Sequence, residues 1–305
     1  MAVFTATSSV AQDASRIYIE PTGWSLGTSF GLSDMWGDVG TKSFLDHYTN
    51  SKYFDKVALL GGLFGRYTVH PALSVRMSLN AGAIYATDEW NYDKAIISDN
   101  QGTDAYQRYA RGQNAKSNIL EGSLLLELTP LRLNPEKKRA YRKGQPYLGA
   151  GIGYFHFTPY SSPGLSTKFV EIYDLHLEGD GFGDGFPPAY KLWQVCFPLA
   201  IGWRWDIGQH LNIGVEYMYR VTLNDYLDGV SGKYIDNKEY AKHMGPSEAA
   251  TAIQVADKGY LKRLQQPNVA GNMRGNPGNN DAYSSLNVTF YYKVFTRSKQ
   301  WWKVF

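Results

Sequence analysis

The sequence predicts an all-β fold, an eight-stranded antiparallel transmembrane β-barrel with long extracellular loops. Apolar and polar residues alternate strictly over long segments, as from Leu73 to Thr87 and from Leu211 to Thr222, so each segment is a strand with one apolar and one polar face. Segments of about ten residues or more match a tilted strand that crosses a bilayer. Charges such as Arg76 and Glu216 lie in the middle of the polar faces, where a soluble core would not tolerate them.

Eight strands with this pattern follow one another along the chain. They are predicted at residues 24–35, 56–68, 73–87, 118–131, 146–158, 192–205, 211–222 and 283–294. Tight turns follow the second and sixth strands, a link of intermediate length follows the fourth, and long polar segments follow the first, third, fifth and seventh. Short turns on one rim and long loops on the other are typical of outer-membrane barrels, and an even strand number places both termini in the periplasm.

The last long loop, about 224–282, departs from the all-β pattern. Apolar residues from Ser247 to Gln265 predict a short helix capped by Ser247. Glycine and asparagine dominate from Gly271 to Asn280, which predicts an irregular return to the eighth strand. A polar loop of this length is uncommon unless it is functional or disordered.

Composition is consistent with this fold and restricts the function. No apolar run approaches the roughly 18 residues that a spanning helix needs, while aromatic residues make up 15% of the chain, as expected for membrane interfaces but also for soluble carbohydrate-binding β proteins. The formal net charge of +3 gives no reason to expect nucleic-acid binding. The single cysteine, Cys196, excludes an intramolecular disulfide and is interpreted as a small buried residue.

The chain divides into three predicted parts. Residues 1–12 resemble the end of a signal peptide, with small residues Ser9 and Ala11 at peptidase spacing before Gln12, and residues 13–295 form the barrel. Residues 296–305 form a periplasmic tail rich in cations and rings. Its Trp301, Trp302 and Phe305 either lie in the lipid headgroups or contact a protein partner.

The sequence contains no motif for phosphate binding, dinucleotide binding, a nucleophile elbow or a zinc protease. We therefore predict a protein that is not an enzyme and needs no cofactor. An acidic segment around His176 could imitate a catalytic site at the barrel rim or hold calcium, but its spacing differs from that of an EF-hand loop. The favoured interpretation is a solvated acidic loop. Its charged members are Asp174, His176, Glu178, Asp180 and Asp184.

The polar faces carry charges of both signs, which predicts a network inside the barrel. An eight-stranded barrel has an interior just wide enough for side chains to fill, and charges removed from water need partners. We therefore predict opposed ion pairs that form a plug, and not an open path for solutes. The predicted members are Arg66, Arg76, Arg204 and Arg220 with Glu121, Glu127 and Glu216.

Three segments are similar to a known family. PYLGAGIGYFHF at Pro146–Phe157 resembles its strand PYLFAGIGLFHFNP, NDYLDGVSGKY at Asn224–Tyr234 resembles TDYLDDVSGTY, and RGNPGNND at Arg274–Asp281 resembles RGNPxxND. A weaker likeness lies at Trp36–Gly40. The family consists of Bacteroidota outer-membrane barrels and includes PorG, a component of the type IX secretion system. Its loop residues here are Asp225, Tyr226, Asp228, Gly232, Arg274, Asn276 and Asp281.

The resemblance implies a non-enzymatic outer-membrane subunit whose partners are outer-membrane lipid and protein subunits of an envelope complex. In the secretion system, the PorG-type barrel anchors a periplasmic ring made of a lipoprotein and its partner. Departures from the family are Asn224, Gly229 and the tail after Phe295. The open alternatives are an accessory barrel of a nutrient-uptake or barrel-assembly complex and a small barrel that binds a lipid or solute. The loop residues also suit turns, through aspartate side chains that bond backbone.

Overall fold

The computed structural model describes residues 22–41, 56–98, 100–134, 143–183, 185–207, 210–262 and 267–295. The predicted signal-peptide remnant, residues 1–12, lies outside the described residues. The same holds for the predicted tail, residues 296–305, with Trp301, Trp302 and Phe305.

Eight long strands form a closed antiparallel barrel, which confirms the predicted fold class. They are β1 (Gly23–Trp36), β2 (Ala58–His70), β3 (Leu73–Thr87), β4 (Asn114–Leu128), β5 (Gly144–Ser161), β7 (Trp193–Asp206), β8 (Leu211–Thr222) and β9 (Ala282–Phe295), and a two-residue strand, β6 (Val170–Glu171), pairs with the end of β5. Consecutive barrel strands are hydrogen-bonded neighbours, and β9 pairs with β1 to close the ring.

Side chains alternate between the two faces of the barrel, as the sequence predicts. On β8, Val215 is exposed on the outer face and Glu216 is buried inside, because successive residues of a strand point in opposite directions. Exposed apolar residues of the outer face include Leu26, Phe30, Leu63, Met77, Leu79, Leu124, Ile152, Leu199, Ile201, Val288 and Phe290. Buried polar residues of the inner face include Ser25, Ser78, Asn80, Ser123, Asn212, Ser285, Asn287 and Thr289.

Aromatic side chains on the outer face mark two belts. Trp24 packs on Tyr67 at one rim with ring centroids 5.1 Å apart, and Tyr154 stacks on Trp193 towards the other rim at 5.3 Å. Trp193 and Trp203 are both exposed and lie ten residues apart on β7. At about 3.3 Å per residue and a tilt of about 40°, they are separated by about 25 Å along the barrel axis, which matches the apolar band of a membrane barrel.

The connections differ in length between the two rims. At the short-turn rim, residues 71–72, 129–143 and 207–210 join the strands, and both ends of the barrel chain lie there. At the long-loop rim, residues 37–57, 88–113, 162–192 and 223–281 join the strands. This alternation is the predicted one.

Among the described residues, α-helices occur in two of the long loops, whereas one short helix was predicted in one loop. The β3–β4 loop contains α1 (Tyr92–Ser98) and α2 (Asp104–Arg111), and the β8–β9 loop contains α3 (Asn237–His243), α4 (Pro246–Ala256) and α5 (Lys258–Lys262). None of the helices in the described part of the chain is both long and apolar enough to cross a membrane. The helices α1 and α2 escaped prediction because they are only seven and eight residues long, so each offers just two turns in which an apolar pattern could show.

The predicted helix cap at Ser247 is wrong. Helix α4 starts at Pro246 with Gly245 as its N-cap, because proline has the φ angle of a first helical residue and needs no backbone donor there. The Glu248 side chain accepts a hydrogen bond from the Gly245 backbone N–H at 3.3 Å. On α2, the Thr103 hydroxyl caps the Tyr106 N–H, and Gly112 ends the helix with a φ of 66°.

Candidate functional site

The predicted interior charges lie in two clusters at different heights in the barrel. The cluster nearer the short-turn rim, here called the lower cluster, consists of Arg66, Arg76, Glu127, Arg204 and Glu216. Arg76 Nη1 lies 2.7 Å from Glu216 Oε2 and 3.1 Å from Glu127 Oε1. Glu127 Oε2 lies 3.5 Å from Arg66 Nη1 and 3.4 Å from Arg204 Nη1. Two carboxylates are thus shared among three guanidinium groups.

Aromatic rings compensate part of the unequal charge of the lower cluster. The Arg66 guanidinium lies 4.1 Å from the ring centre of Tyr291, and that of Arg204 lies 4.3 Å from the ring centre of Tyr147. A ring face attracts a cation most strongly where water is excluded. The Tyr147 hydroxyl also donates a hydrogen bond to Glu216 Oε2 at 2.9 Å.

The upper cluster surrounds Glu121. Arg220 Nε lies 2.6 Å from Glu121 Oε2, and the Tyr283 hydroxyl donates to the same oxygen at 2.7 Å. Asn80 Nδ2 and the Ser123 hydroxyl both donate to Glu121 Oε1 at 2.9 Å. Glu121 is fully buried, and these four donors take the place of the water that the carboxylate loses.

A loop segment closes the barrel above the upper cluster. Leu227 and Val230, from the segment that resembles the family sequence, are buried in one apolar cluster with Ile84, Phe155 and Phe157. The first two residues belong to the β8–β9 loop and the other three to barrel strands. The barrel mouth is therefore filled by side chains of its own longest loop.

Four aspartates from three loop segments meet at this mouth and are called the carboxylate cluster: Asp38, Asp225, Asp228 and Asp281. Three of them accept hydrogen bonds from backbone N–H groups. Asp281 Oδ2 accepts from Leu227 N at 2.8 Å, Asp228 Oδ2 accepts from Val39 N at 2.8 Å, and Asp38 Oδ2 accepts from Asn276 N.

The chain passes this cluster at Gly37. A Cβ atom there would lie 2.5 Å from Asp281 Oδ1 and 2.6 Å from Asp228 Oδ2. Glycine at this position therefore lets the loop after β1 approach both carboxylates.

Burial and mutual repulsion favour the protonated form of carboxyl groups in the carboxylate cluster. Burial raises the pKa of Asp225 to about 8 and that of Asp228 to about 7, and the charge of neighbouring carboxylates acts in the same direction. The pKa of Asp281 is also raised, first by burial and then by Asp228 and Asp225. Among the described residues, neither carboxylate oxygen of Asp225 accepts a backbone N–H, and only the Ser231 hydroxyl opposes the rise in its pKa. The ionised form of the Asp225 carboxylate is therefore poorly stabilised.

We expect the stability of the loop cap to fall as the pH rises from about 4 to about 8. In that interval the unfolded chain has released the Asp225 proton at an ordinary pKa of about 4, whereas the folded chain still holds it up to about 8, so folding is linked to proton uptake. An asparagine imitates the protonated carboxyl. Asp225→Asn should therefore protect the loops more than the wild-type residue does, by a margin that grows from pH 5 to pH 8.

Hydrogen exchange of the loop amides at each pH measures this effect. Asp93→Asn, a substitution of an exposed aspartate on α1, is the matched control and should follow the wild-type profile. Parallel profiles for wild type and Asp225→Asn would contradict the assignment.

Glu178 joins two of the segments that resemble the family, whereas the sequence identified it only as a member of the acidic segment around His176. Glu178 Oε1 lies 2.9 Å from Arg274 Nη1 and accepts from Ser231 N at 2.8 Å, and its Oε2 accepts from Gly232 N at 2.6 Å. No sequence spacing relates position 178 to these partners, so only the fold reveals them.

The acidic segment was predicted to be a solvated loop, which is wrong for two of its carboxylates, whereas Asp174 is exposed and Asp184 lies outside the described residues. Glu178 and Asp180 are 3% and 2% exposed. Asp180 Oδ2 lies 3.6 Å from His176 Nδ1, and burial raises the pKa of Asp180 while the nearby His176 opposes that rise. In the described part of the chain, no group of three or more His, Cys, Asp or Glu side chains is placed to hold a metal ion.

Replacing Glu178 by alanine should loosen the loop cap. The change leaves the buried Arg274 without its carboxylate and two backbone N–H groups without acceptors, and a hydrogen bond to a charged group contributes about 1.5–3 kcal/mol. We expect trypsin to cleave the β5–β7 and β8–β9 loops faster, while the barrel stays folded on unboiled gels. Glu171→Ala removes an exposed carboxylate nearby and should leave cleavage unchanged. Equal cleavage of both variants would show that Glu178 does not hold the loops.

The structure brings the family-like loop residues together in one cap. Tyr226 stacks on Tyr190 with centroids 4.4 Å apart, and the remaining residues take part in the contacts described above. Cys196 is buried with its sulfur 3.7 Å from the Tyr283 hydroxyl. Apart from Asp225, the side chains of this set fill space or fix loop backbone.

The closed ring of strands, its apolar outer face and its charged, filled interior define an eight-stranded outer-membrane β-barrel. No protein-family model and no curated protein matches the sequence. Among solved structures, the chain is similar to Neisserial surface protein A, with 8% identity, a TM-score of 0.38, and coverage of 90% of this chain and 99% of that chain. It is also similar to the outer membrane protein OprG from Pseudomonas aeruginosa, with 12% identity, a TM-score of 0.36, and coverage of 91% and 98%. The outer membrane protein AlkL, solved in DMPC bilayers, has 12% identity, a TM-score of 0.31, and coverage of 98% and 100%.

Proposed function

We propose that this protein is a non-enzymatic barrel subunit of a Bacteroidota type IX secretion system, related to PorG. In this proposal the short-turn rim and both termini face the periplasm, and the barrel anchors periplasmic ring components in the outer membrane. The observation that carries the proposal is the loop cap. Segments that resemble the family at 36–40, 224–234 and 274–281 are far apart in the sequence and bond to one another through Asp38, Asp228 and Asp281.

The barrel interior supports an anchoring role over a transport role. Buried side chains of the lower and upper clusters occupy the lumen, and Leu227 and Val230 fill its mouth. Eight strands leave room for side chains and not for an aqueous channel. A protein of this kind contributes to a complex through its surfaces.

The tail residues 296–305 follow β9 at the short-turn rim and are proposed as the contact with a periplasmic partner. Trp301, Trp302 and Phe305 supply the aromatic side chains that commonly dominate protein interfaces. The competing role for these side chains is an anchor in the headgroup region. The two roles differ in what happens to bound partners when the side chains are removed.

Affinity purification from detergent-solubilised membranes, with mass spectrometry of the recovered proteins, tests the proposal. We expect the full chain to recover a periplasmic lipoprotein and its ring partner. The variant Trp301→Ala/Trp302→Ala/Phe305→Ala should lose them while still running as a folded barrel on unboiled gels. The matched control Arg297→Ala/Lys299→Ala/Lys303→Ala removes the tail cations and keeps the rings, and it should retain the partners.

Other outcomes contradict specific parts of the proposal. Recovery of nutrient-uptake or barrel-assembly proteins in place of the ring proteins would assign the chain to a different outer-membrane complex. Recovery of no partner by the full chain would refute the subunit role. Unchanged recovery by the triple aromatic variant would leave the tail as a lipid anchor.

A further inference from the structure

A cleft of about 500 Å³ opens in the loop cap, away from the apolar band of the barrel. One wall is a face of α2, the opposite wall is the segment 273–279, and Asp38 and Tyr234 lie between them. The volume falls within the range of about 300–1,000 Å³ that is usual for small-molecule sites. This cleft belongs neither to the barrel interior nor to the short-turn rim.

The charged side chains of the cleft are already paired by the protein. Arg108 Nε lies 3.1 Å from Asp104 Oδ2, and Arg111 Nε lies 2.9 Å from Asp88 Oδ2. Arg274, the third arginine of the lining, pairs with Glu178. With each guanidinium neutralised by a carboxylate, the cleft has little attraction for a free phosphate or sulfate group.

The same bonds hold the two walls at a fixed separation. Arg111 Nη1 donates to the carbonyl oxygen of Arg274 on the opposite wall at 2.9 Å, and Arg111 Nη2 donates to the carbonyl oxygen of Asp38 at 2.6 Å. A ligand entering the cleft therefore meets a preorganised site and does not have to order the loops, which lowers the cost of binding.

Uncharged polar groups in the cleft remain available. Among the described residues, the side-chain amides of Gln101, Gln107 and Asn279 make no hydrogen bond within the protein, and neither does the Tyr106 hydroxyl. An amide both donates and accepts hydrogen bonds. It therefore suits ligand hydroxyl groups, which also donate and accept. The Tyr106 ring adds an amphipathic surface on which the C–H face of a sugar ring can pack.

We propose that this cleft binds a short neutral oligosaccharide. Gln101, Gln107 and Asn279 bond the sugar hydroxyls from the two walls, and Tyr106 packs against one ring. The paired arginines shape the site and select against acidic glycans. This site is independent of the subunit role proposed above, because its residues lie at the long-loop rim.

Saturation-transfer NMR on the full chain in detergent tests the site. The neutral probes are maltotriose, mannotriose and triacetylchitotriose, and the acidic probe is a heparin-derived tetrasaccharide. We expect at least one neutral probe to bind with a millimolar or lower Kd. Tyr106→Ala and Gln107→Ala should each weaken that binding about fivefold or more. Both side chains are at least partly exposed, so the variants should fold, which unboiled gels verify.

Gln254→Ala is the matched control, because Gln254 is an exposed amide in the same loop cap that does not line the cleft. Its binding should equal that of the wild type. Absence of binding by all three neutral probes would overturn the proposal, as would binding of the acidic probe alone. Binding that is unchanged by Tyr106→Ala and Gln107→Ala would place the sugar elsewhere on the protein and also overturn it.

Discussion

Replacing Glu127 by alanine is expected to lower the free energy of unfolding of the barrel by about 3–5 kcal/mol, because it leaves buried cations without their carboxylate. Glu127 is the carboxylate of the lower cluster that lies within ion-pair distance of Arg66, Arg76 and Arg204. After its removal, Glu216 is the remaining carboxylate of the lower cluster, and it lies within ion-pair distance of Arg76. Urea unfolding in lipid vesicles measures the free energy, and the shift from folded to unfolded mobility on unboiled gels provides a second measurement.

Two comparisons separate pairing from simple loss of packing. Asn118 lies on the same strand as Glu127, and its side chain is exposed. The control variant Asn118→Ala should therefore change the free energy of unfolding little. In a double-mutant cycle, Glu127→Gln combined with Arg204→Met should cost less than the two single changes together, because side chains that interact are not additive. Strict additivity in this cycle would argue against the ion pair.

Replacing Val215 by arginine is expected to impair membrane assembly, at a cost below the value of about 2–4 kcal/mol at the bilayer midplane, because Val215 pairs with Trp203 of the aromatic belt. Val215 is 40% exposed on the outer face of β8, between strands β7 and β9. An arginine there must either enter the hydrocarbon region or bend towards an interface. Folding yield into lipid vesicles, measured from the folded band on unboiled gels, reports the loss.

Val215→Leu keeps the outer face apolar and should assemble as the wild type does. Asn212→Ser tests the other face of the same strand, where Asn212 is fully buried and its amide has no hydrogen-bond partner among the described residues. The serine variant therefore loses no bond and should assemble well. If Val215→Arg assembled as efficiently as these two variants, the outer face of β8 would not contact lipid.

The order of the strands, the side of the barrel that each residue faces and the rim that carries the long loops could be predicted from the sequence. Each of these depends on residues that are neighbours in the chain. The period of two along β8 separates Val215 from Glu216 wherever the strand is placed. Loop lengths are likewise a property of the chain. The helices α1 and α2 were missed because two turns are too few to give a clear periodic pattern, and because helices this short are held by tertiary contacts such as that of Arg111 with Asp88.

The sequence by itself therefore determined that this chain forms a barrel with an apolar outside, a charged inside and long loops on one rim. Only the tertiary structure decided which charges meet. Arg76 pairs with Glu216, 140 positions away in the chain, whereas Arg204 forms an ion pair with Glu127. Glu178 holds Arg274 and the backbone of the loop cap across a similar gap. The physical reason is that the local geometry of a strand decides which side of the barrel a residue faces. Which charged residues pair depends on how the ring closes and on the path of its loops, and no local sequence pattern contains that information.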